Sequence, residues 1–363
     1  MEFAPFVDLL GGEGAEAWEI LTESRIALER GEDVIVLSIG DPDLETPGFV
    51  VNAAVDALRN GDTHYTELEG RSSLRSAIAS KLSSSAGVRI DPDWVTVLAG
   101  TQNAFYSACR CLFGAGDEVI VLDPSYVTYE ASIASTGAKQ VRVEQPASDG
   151  FRPRIDAIEA AVTPATKGIV FSNPSNPTGV ALRKEELEAI ARLAVDNDLW
   201  VVVDEVYSDL VFEGAHHSIV GMPEMLERTV TVSSVSKSYA MTGWRCGWAV
   251  GPSELGSHLR KMSLINLYGL PGFIMEAANT ALREGGEEIE TARAIYKARR
   301  NLVLEELGKA SEMPLLVPEA GMFLMADVRA HNMNANNFAW DLYRSTGVSV
   351  LDAGAFGSTS KGW

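Results

Sequence analysis

Residues 199–207 read Leu-Trp-Val-Val-Val-Asp-Glu-Val-Tyr, an almost continuous apolar run that ends in two carboxylates and a tyrosine. Such a run is typical of a strand that is buried on both faces of a parallel sheet. Similar strand candidates occur at Val34–Ile39, Val95–Ala99, Glu118–Leu122, Gly168–Phe171, Val230–Ser233 and Gly247–Val250. Helical patterns lie between them, for example at Thr46–Asn60, where Thr46 is the expected cap, and at Leu182–Asn197. This alternation predicts an α/β fold with a mostly parallel sheet between helices.

The last third of the chain has a different pattern. Residues Ser253–Arg283 and Glu287–Leu307 predict long helices, and Gly285-Gly286 interrupts the helical spacing between them. Short strand-like pieces follow at Phe323–Val328 and Val348–Leu351, around a helix near Asn337–Ser345. We therefore expect a large domain over residues 43–283, and a smaller α+β domain built from residues 1–42 and 284–363.

Composition excludes several classes of protein. The chain has 363 residues with a formal net charge of −20, and such a charge repels nucleic acid and anionic membranes. The cysteines are Cys109, Cys111 and Cys246, and their spacing matches neither a zinc site nor a disulfide framework. The histidines are scattered, and no metal site is predicted. These observations predict a cytoplasmic globular enzyme with a small-molecule substrate.

Polar side chains follow five of the predicted strands, where the carboxyl ends of parallel strands meet and ligands bind. These strand ends carry Gly100-Thr101-Gln102-Asn103, Asp123-Pro124-Ser125-Tyr126, Ser172–Gly179, Asp204-Glu205-Val206-Tyr207 and Ser234-Val235-Ser236-Lys237. Together they predict one pocket that contains a phosphate cradle at a helix start, an aromatic face, a carboxylate, an amide and a lysine. Lys237 directly follows a buried strand, where desolvation lowers the pKa of an amine and allows it to form a Schiff base.

Each of these features also has an ordinary structural explanation. Asp204 could be a helix cap or an ion-pair partner, and Asn176 could serve only the turn that its Asn-Pro-Thr-Gly sequence forms. Tyr126 could fill the core, and Gly100-Thr101 could be a simple helix start. The joint pattern is much more specific than any single feature.

Three motifs in order along the chain resemble the pyridoxal-phosphate (PLP)-dependent aminotransferases of fold type I, class I. They are Asn176-Pro177-Thr178-Gly179, Asp204-Glu205-Val206-Tyr207 and Ser234–Arg245, and the last is similar to the cofactor-attachment motif of that family. Cys246 departs from the aliphatic residue that the family usually has there. Three short segments are also similar to bacterial arginine–pyruvate transaminases: Ala17–Ile20, Tyr126–Glu130 and Gly243–Arg245.

The resemblance implies a PLP-transferase fold, a homodimer with shared active sites, and the following roles. Lys237 is expected to hold PLP as a Schiff base and to move the proton, Asp204 to pair with the pyridine nitrogen, and Tyr207 and Asn176 to bond the ring's phenolic oxygen. Gly40 and Asn176 are expected to contact the substrate. The remaining expected cofactor contacts are Gly100, Thr101, Gln102, Tyr126, Ser234, Ser236 and Arg245, with Tyr65 reaching the phosphate of the neighbouring subunit.

Two other functions stay open at the level of sequence. The cofactor motifs fit a lyase or synthase on the same fold, such as a C–S lyase. A regulatory sensor with an aminotransferase-like domain fits less well, because only about forty residues precede the large domain.

Two features bear on the substrate. Ser263–Pro271 contains no cation, which argues against a strict aspartate enzyme. The family's substrate-carboxylate arginine is expected soon after Asp352–Gly357, but the sequence ends at Trp363, so we expect a longer chain.

Overall fold

The computed structural model describes residues 3, 7, 15–331 and 333–363, and its centre is a twisted seven-stranded sheet within that part of the chain. The strands lie in the order β2-β8-β7-β6-β5-β3-β4, and β8 runs antiparallel to both of its neighbours while the other pairs are parallel. The strand bounds are β1 Ile35–Val36, β2 Val95–Leu98, β3 Glu118–Asp123, β4 Lys139–Glu144, β5 Thr166–Ser172, β6 Trp200–Asp204, β7 Thr229–Ser234, β8 Gly247–Val250, β9 Leu315–Leu316, β10 Met325–Ala326 and β11 Val348–Ser349.

Helices cover both faces of this sheet. Their bounds are α1 Glu19–Glu29, α2 Gly48–Arg59, α3 Ser72–Ala86, α4 Gly100–Leu112, α5 Thr128–Ala134, α6 Ile155–Ala160, α7 Lys184–Asp196, α8 Ser253–Asn266, α9 Gly272–Glu284, α10 Gly286–Ala310 and α11 Ala335–Thr346. The core divides by face: Phe105 of α4 packs in one cluster with Val202, and Leu187 of α7 packs in another with Val201 and Val203. The apolar residues of β6 are therefore buried on both sides, and the predicted α/β fold is confirmed.

Three local predictions need correction. Residues Ser253–Arg283 form two helices, because the chain turns at Tyr268 and Gly269, whose φ angles are 58° and 89°, and Pro271 then precedes α9. Strand β4 was not predicted, because it is an edge strand in which charged residues interrupt the apolar pattern. Helix α2 begins at Gly48 with Pro47 at its cap position, so Thr46 is not the cap.

Segments from the two ends of the described chain pair in a separate two-stranded sheet. Strand β1 pairs in parallel with β11, and Ser38 Oγ lies 3.0 Å from Ser349 Oγ. The first fourteen residues of the predicted small domain, except 3 and 7, lie outside the described residues. Among the helices that the structure describes, none has the length and apolar character needed to cross a bilayer.

Candidate active site

Asp204 is the last residue of β6 and lies at the carboxyl edge of the sheet, where it is 7% exposed. Its carboxylate accepts two hydrogen bonds, from the Tyr129 hydroxyl to Oδ2 at 2.9 Å and from the Val206 amide to Oδ1 at 3.0 Å. Burial raises the pKa of Asp204 from 3.8 to about 6, although both hydrogen bonds act to lower it. The carboxylate is thus oriented but poorly solvated, and a cationic partner would stabilise it.

Lys237 follows β7, the neighbour of β6 in the sheet. Its Nζ donates a hydrogen bond to the carbonyl oxygen of Gly40. Burial lowers the pKa of this amine, while the nearby carboxylates of Asp41 and Asp204 partly oppose that effect. A lysine with a lowered pKa carries the neutral amine that nucleophilic attack requires at a lower pH than an exposed lysine does.

Tyr207 and Asn176 bring a phenol and an amide together. The Asn176 side-chain amide donates to the Tyr207 hydroxyl at 3.5 Å, and both residues are buried. Phe323 packs edge-on against the Tyr207 ring with a centroid separation of 4.9 Å. Burial raises the pKa of Tyr207, so the hydroxyl remains a protonated hydrogen-bond donor at neutral pH.

The start of α4 forms a cradle with the side chain of Arg245. Gly100 has a φ of +82°, and a Cβ at this position would lie 2.5 Å from Arg245 Nη2. Only glycine therefore lets the guanidinium approach the first turn of α4, where free backbone N–H groups favour an anion. The Thr101 hydroxyl is buried there and has no hydrogen-bond partner among the described residues.

The other predicted cofactor contacts lie around this cradle. Ser234 and Ser236 are both buried, and the Ser236 amide donates to Ser234 Oγ at 3.2 Å. Tyr126 packs edge-on against Tyr129 at a centroid separation of 5.9 Å. The Gln102 side chain is already engaged with α5: its Nε2 donates to Ser132 Oγ at 3.2 Å, and its Oε1 accepts from the Thr128 hydroxyl.

Tyr65 lies apart from these groups on the protein surface. Its side chain is 85% exposed and contacts only Tyr268 among aromatic residues of the described chain, at a centroid separation of 4.7 Å. Gly40, by contrast, lies beside Lys237, and a Cβ there would lie 3.2 Å from the Phe323 ring.

Tyr129 is the site residue that the sequence did not assign. It is fully buried, stacks on Phe105 at a centroid separation of 4.3 Å, and donates to Asp204. A sequence signal was available, because Tyr129 lies one turn beyond Tyr126, in the segment Tyr126–Glu130 that is similar to arginine–pyruvate transaminases.

Residues 32–363 match the family described as Aminotransferase class I and II. The chain belongs to this family. It is 43% identical to the arginine–pyruvate transaminase of Pseudomonas aeruginosa over 362 residues, which make up 100% of this chain and 92% of that relative. An aspartate aminotransferase of Pyrococcus abyssi is 34% identical over 336 residues, 92% of this chain and 86% of that relative.

A solved structure, the aspartate aminotransferase of Thermus thermophilus with maleate, superposes with a TM-score of 0.94 at 32% identity, covering 100% of this chain and 94% of that one. The aminotransferase therefore has the fold type I architecture, depends on PLP, and transfers an amino group from an amino acid to a 2-oxo acid.

The residues present in the aminotransferase fit PLP. A phosphate suits the Gly100–Arg245 cradle and the Thr101 hydroxyl, and a protonated pyridine nitrogen would supply a cationic partner for the buried Asp204 carboxylate. Lys237 offers an amine of lowered pKa in the same pocket.

Proposed function

We infer that Lys237, Asp204 and Tyr207 are the catalytic residues, with Lys237 as the point of PLP attachment. The observation that carries this inference is the convergence of a desolvated lysine, a desolvated carboxylate and a buried phenol at one edge of the sheet. Convergent groups with shifted pKa values are typical of active sites.

PLP, when bound, supplies an electron sink for the bonds around the substrate's α-carbon. The chain's own residues do the rest in this proposal. Lys237 takes the proton from the α-carbon and returns it at the other end of the shift. Asp204 keeps the pyridine nitrogen protonated, while Tyr207 and Asn176 donate hydrogen bonds to the ring's phenolic oxygen. Tyr126 covers the ring face.

The phosphate is held in this proposal by Gly100, Thr101 and Gln102 at the start of α4, with Ser234, Ser236 and Arg245 opposite. Since the Gln102 side chain is engaged with α5, Gln102 contributes only its backbone N–H. Arg245 contributes a charge-assisted fork. Gly40 and Asn176 contact the substrate in this proposal. For Gly40 the support is the hydrogen bond that its carbonyl oxygen accepts from Lys237 Nζ, the group expected to react with the substrate.

The amino donor in this proposal is L-arginine or a similar cationic amino acid, and the acceptor is pyruvate. The relative from Pseudomonas aeruginosa supports this choice through 43% identity along the whole chain. Asp41 supports it independently: it is exposed beside Gly40, and its carboxylate lies close enough to act on the pKa of Lys237. A guanidinium group at the entrance of the site would find a carboxylate there.

A panel of amino donors against pyruvate and 2-oxoglutarate tests this proposal. We expect arginine with pyruvate to give the highest kcat/KM, and Asp41→Asn to lower kcat/KM for arginine roughly tenfold more than for an uncharged donor. Asp43→Asn is the matched control, because Asp43 is already paired with Arg299 at 2.6 Å. Equal loss for charged and uncharged donors would contradict a role for Asp41 in specificity.

The active form in this proposal is a cytoplasmic homodimer with shared sites, divided into a large domain over residues 43–283 and a small domain from 1–42 and 284–363. Tyr65 supports the shared site, since its side chain is 85% exposed and its ring packs only against Tyr268 among the aromatic residues of the described chain. Free cysteines at positions 109, 111 and 246 support a reducing compartment. The β1–β11 pair supports joining the two chain ends in one small domain.

Subunit hybrids test the shared site. A Lys237→Ala chain and a Tyr65→Phe chain are each expected to be impaired, but a mixed dimer should contain one site with both residues intact. Recovery of activity after verified subunit exchange is the expected result. Exchange without recovery would contradict the assignment of Tyr65 to the neighbouring subunit's site.

A further inference from the structure

The turn that carries Lys237 has a strained backbone. Ala240 and Arg245 have φ angles of 51° and 55°, in the left-handed region that residues other than glycine seldom adopt. Such conformations persist only where the surroundings hold them in place. The groups that hold this turn therefore decide where the Lys237 amine lies.

Thr46 holds the turn from outside it. Its hydroxyl donates to the carbonyl oxygen of Ala240 at 2.6 Å and accepts from the Trp244 indole Nε1 at 3.1 Å. The Thr46 hydroxyl thus donates its single proton near one end of the strained segment and accepts a hydrogen bond near the other end. The two bonds span residues 240–244, a segment that begins three residues after the lysine.

A role for Thr46 in starting α2 does not account for this arrangement. Pro47 occupies the cap position of α2, and within the described residues no side chain caps that helix end. The first backbone bond of the helix runs from the Val50 amide to the Pro47 carbonyl. The Thr46 hydroxyl is therefore engaged with the lysine turn and not with its own helix.

A second hydrogen bond holds the residue directly after Lys237. The Ser238 hydroxyl donates to Asp209 Oδ2 at 2.6 Å, and Lys81 Nζ lies 2.7 Å from the other oxygen of that carboxylate. Lys237 precedes both tethered residues, Ser238 and Ala240. The turn is thus fixed from two sides, by Thr46 before α2 and by Asp209 after Tyr207.

We propose that Thr46 is a positioning residue for the catalytic lysine, acting through Ala240 and Trp244. The proposal rests on the attachment role of Lys237 given above. Loss of the Thr46 hydroxyl frees the turn to relax, and the Lys237 amine then spends less time in reach of the cofactor and of the proton that it moves.

Thr46→Val removes the hydroxyl and keeps the shape of the side chain. We expect cofactor release, followed by the visible absorption of the holoenzyme after dilution, to become roughly tenfold faster, and kcat to fall roughly tenfold with KM within about threefold. Thr46→Ser restores the hydroxyl and should stay within about twofold of the native protein. Thr22→Val is the matched control, because Thr22 also donates to a backbone carbonyl but lies on α1.

Trp244→Phe provides a second route to the same test if Thr46→Val folds poorly. It removes one of the two bonds and keeps an aromatic ring, so cofactor release should become about threefold faster. Native release rates in both Thr46→Val and Trp244→Phe would overturn the proposal. So would a defect in Thr46→Val that serine does not rescue.

A double-mutant cycle with Lys237→Ala separates this proposal from the one on which it rests. If Thr46 acts through the lysine, Thr46→Val should not accelerate cofactor release further in the Lys237→Ala background. An additive effect would overturn the positioning role of Thr46. Unchanged cofactor release in Lys237→Ala alone would overturn the attachment role of Lys237 and the positioning role with it.

Discussion

At the scale of single residues, the site depends on where charge is desolvated. Asp204 is buried with one phenol and one amide as hydrogen-bond donors, and burial raises its pKa to about 6 in spite of them. The carboxylate of the cofactor-free protein is therefore destabilised, and binding a cation opposite it relieves that cost. A carboxylate at this position therefore destabilises the cofactor-free protein and favours cofactor binding.

The free energy of unfolding of the cofactor-free protein should therefore depend on pH. The folded state keeps a proton on Asp204 up to about pH 6, whereas the unfolded chain releases it near 3.8, so stability falls as the pH rises through that window. Asp204 accounts for about 3 kcal/mol of this fall by pH 7. In urea unfolding, the free energy of unfolding should fall less steeply with rising pH in Asp204→Asn than in the exposed control Asp56→Asn. Parallel profiles for the two variants would contradict the assignment.

Tyr129 should tune the same carboxylate. Its hydrogen bond acts to lower the pKa of Asp204, so Tyr129→Phe should raise that pKa and move the acid limb of cofactor binding to higher pH. Affinity for PLP at neutral pH should fall by roughly tenfold. Tyr343→Phe, a change on the outer helix α11, is the control. An acid limb that does not move would show that Tyr129 serves packing alone.

At the scale of secondary-structure elements, strand ends place the chemistry. Asp204 is the last residue of β6, and Lys237 follows the carboxyl end of the neighbouring strand β7. Helix α4 begins with Gly100, just after β2. Each of these groups is held by a strand or helix that packs in the core, and this explains how residues far apart in the chain come together at one edge of the sheet.

Gly100 provides a prediction at this scale. Ala at this position would strain the backbone and bring a Cβ within 2.5 Å of Arg245 Nη2, so the guanidinium must move out of the cradle. We expect affinity for PLP to fall by roughly tenfold or more in an absorbance titration. Gly87→Ala is the matched control: its φ is +70°, but a Cβ there meets nothing within 4 Å. Equal effects on affinity would mean that strain, and not the cradle, is responsible.

The sequence predicted these elements unevenly, for physical reasons. Strands such as β6 were predictable because burial on both faces leaves an uninterrupted apolar run. Strand β4 was not, since an edge strand tolerates Lys139, Arg142 and Glu144. The break between α8 and α9 was missed because apolar spacing continues across it. The bond from Tyr129 to Asp204 depends on tertiary packing, which no local pattern in the sequence encodes.

At the scale of the whole molecule, one apolar patch on the surface stands out. It consists of Tyr65, Leu264, Ile265 and Tyr268, all exposed, and the Tyr65 ring lies 4.7 Å from that of Tyr268. The Ser263 hydroxyl donates to the Leu68 carbonyl at 2.7 Å and joins the two segments that form the patch. An apolar patch of this kind is typical of a protein–protein interface, and the homodimer proposed above would bury it.

Ile265→Asp should weaken association of the two copies. A charge in the middle of an apolar interface is desolvated without a partner, so the dissociation constant should rise by a factor on the order of 100 in analytical ultracentrifugation. Leu302→Asp on α10 is the control, as Leu302 is 58% exposed and lies outside the patch. Equal dissociation constants for the two variants would place the interface elsewhere.

The attachment of PLP to Lys237 is tested most directly by mass spectrometry of the reduced holoenzyme. The native holoenzyme is reduced with borohydride, digested, and mapped by mass spectrometry to find the lysine that carries the pyridoxyl group. We expect the modification on Lys237, and no cofactor retained through reduction in Lys237→Ala. Modification of any other lysine in the native holoenzyme would contradict the account.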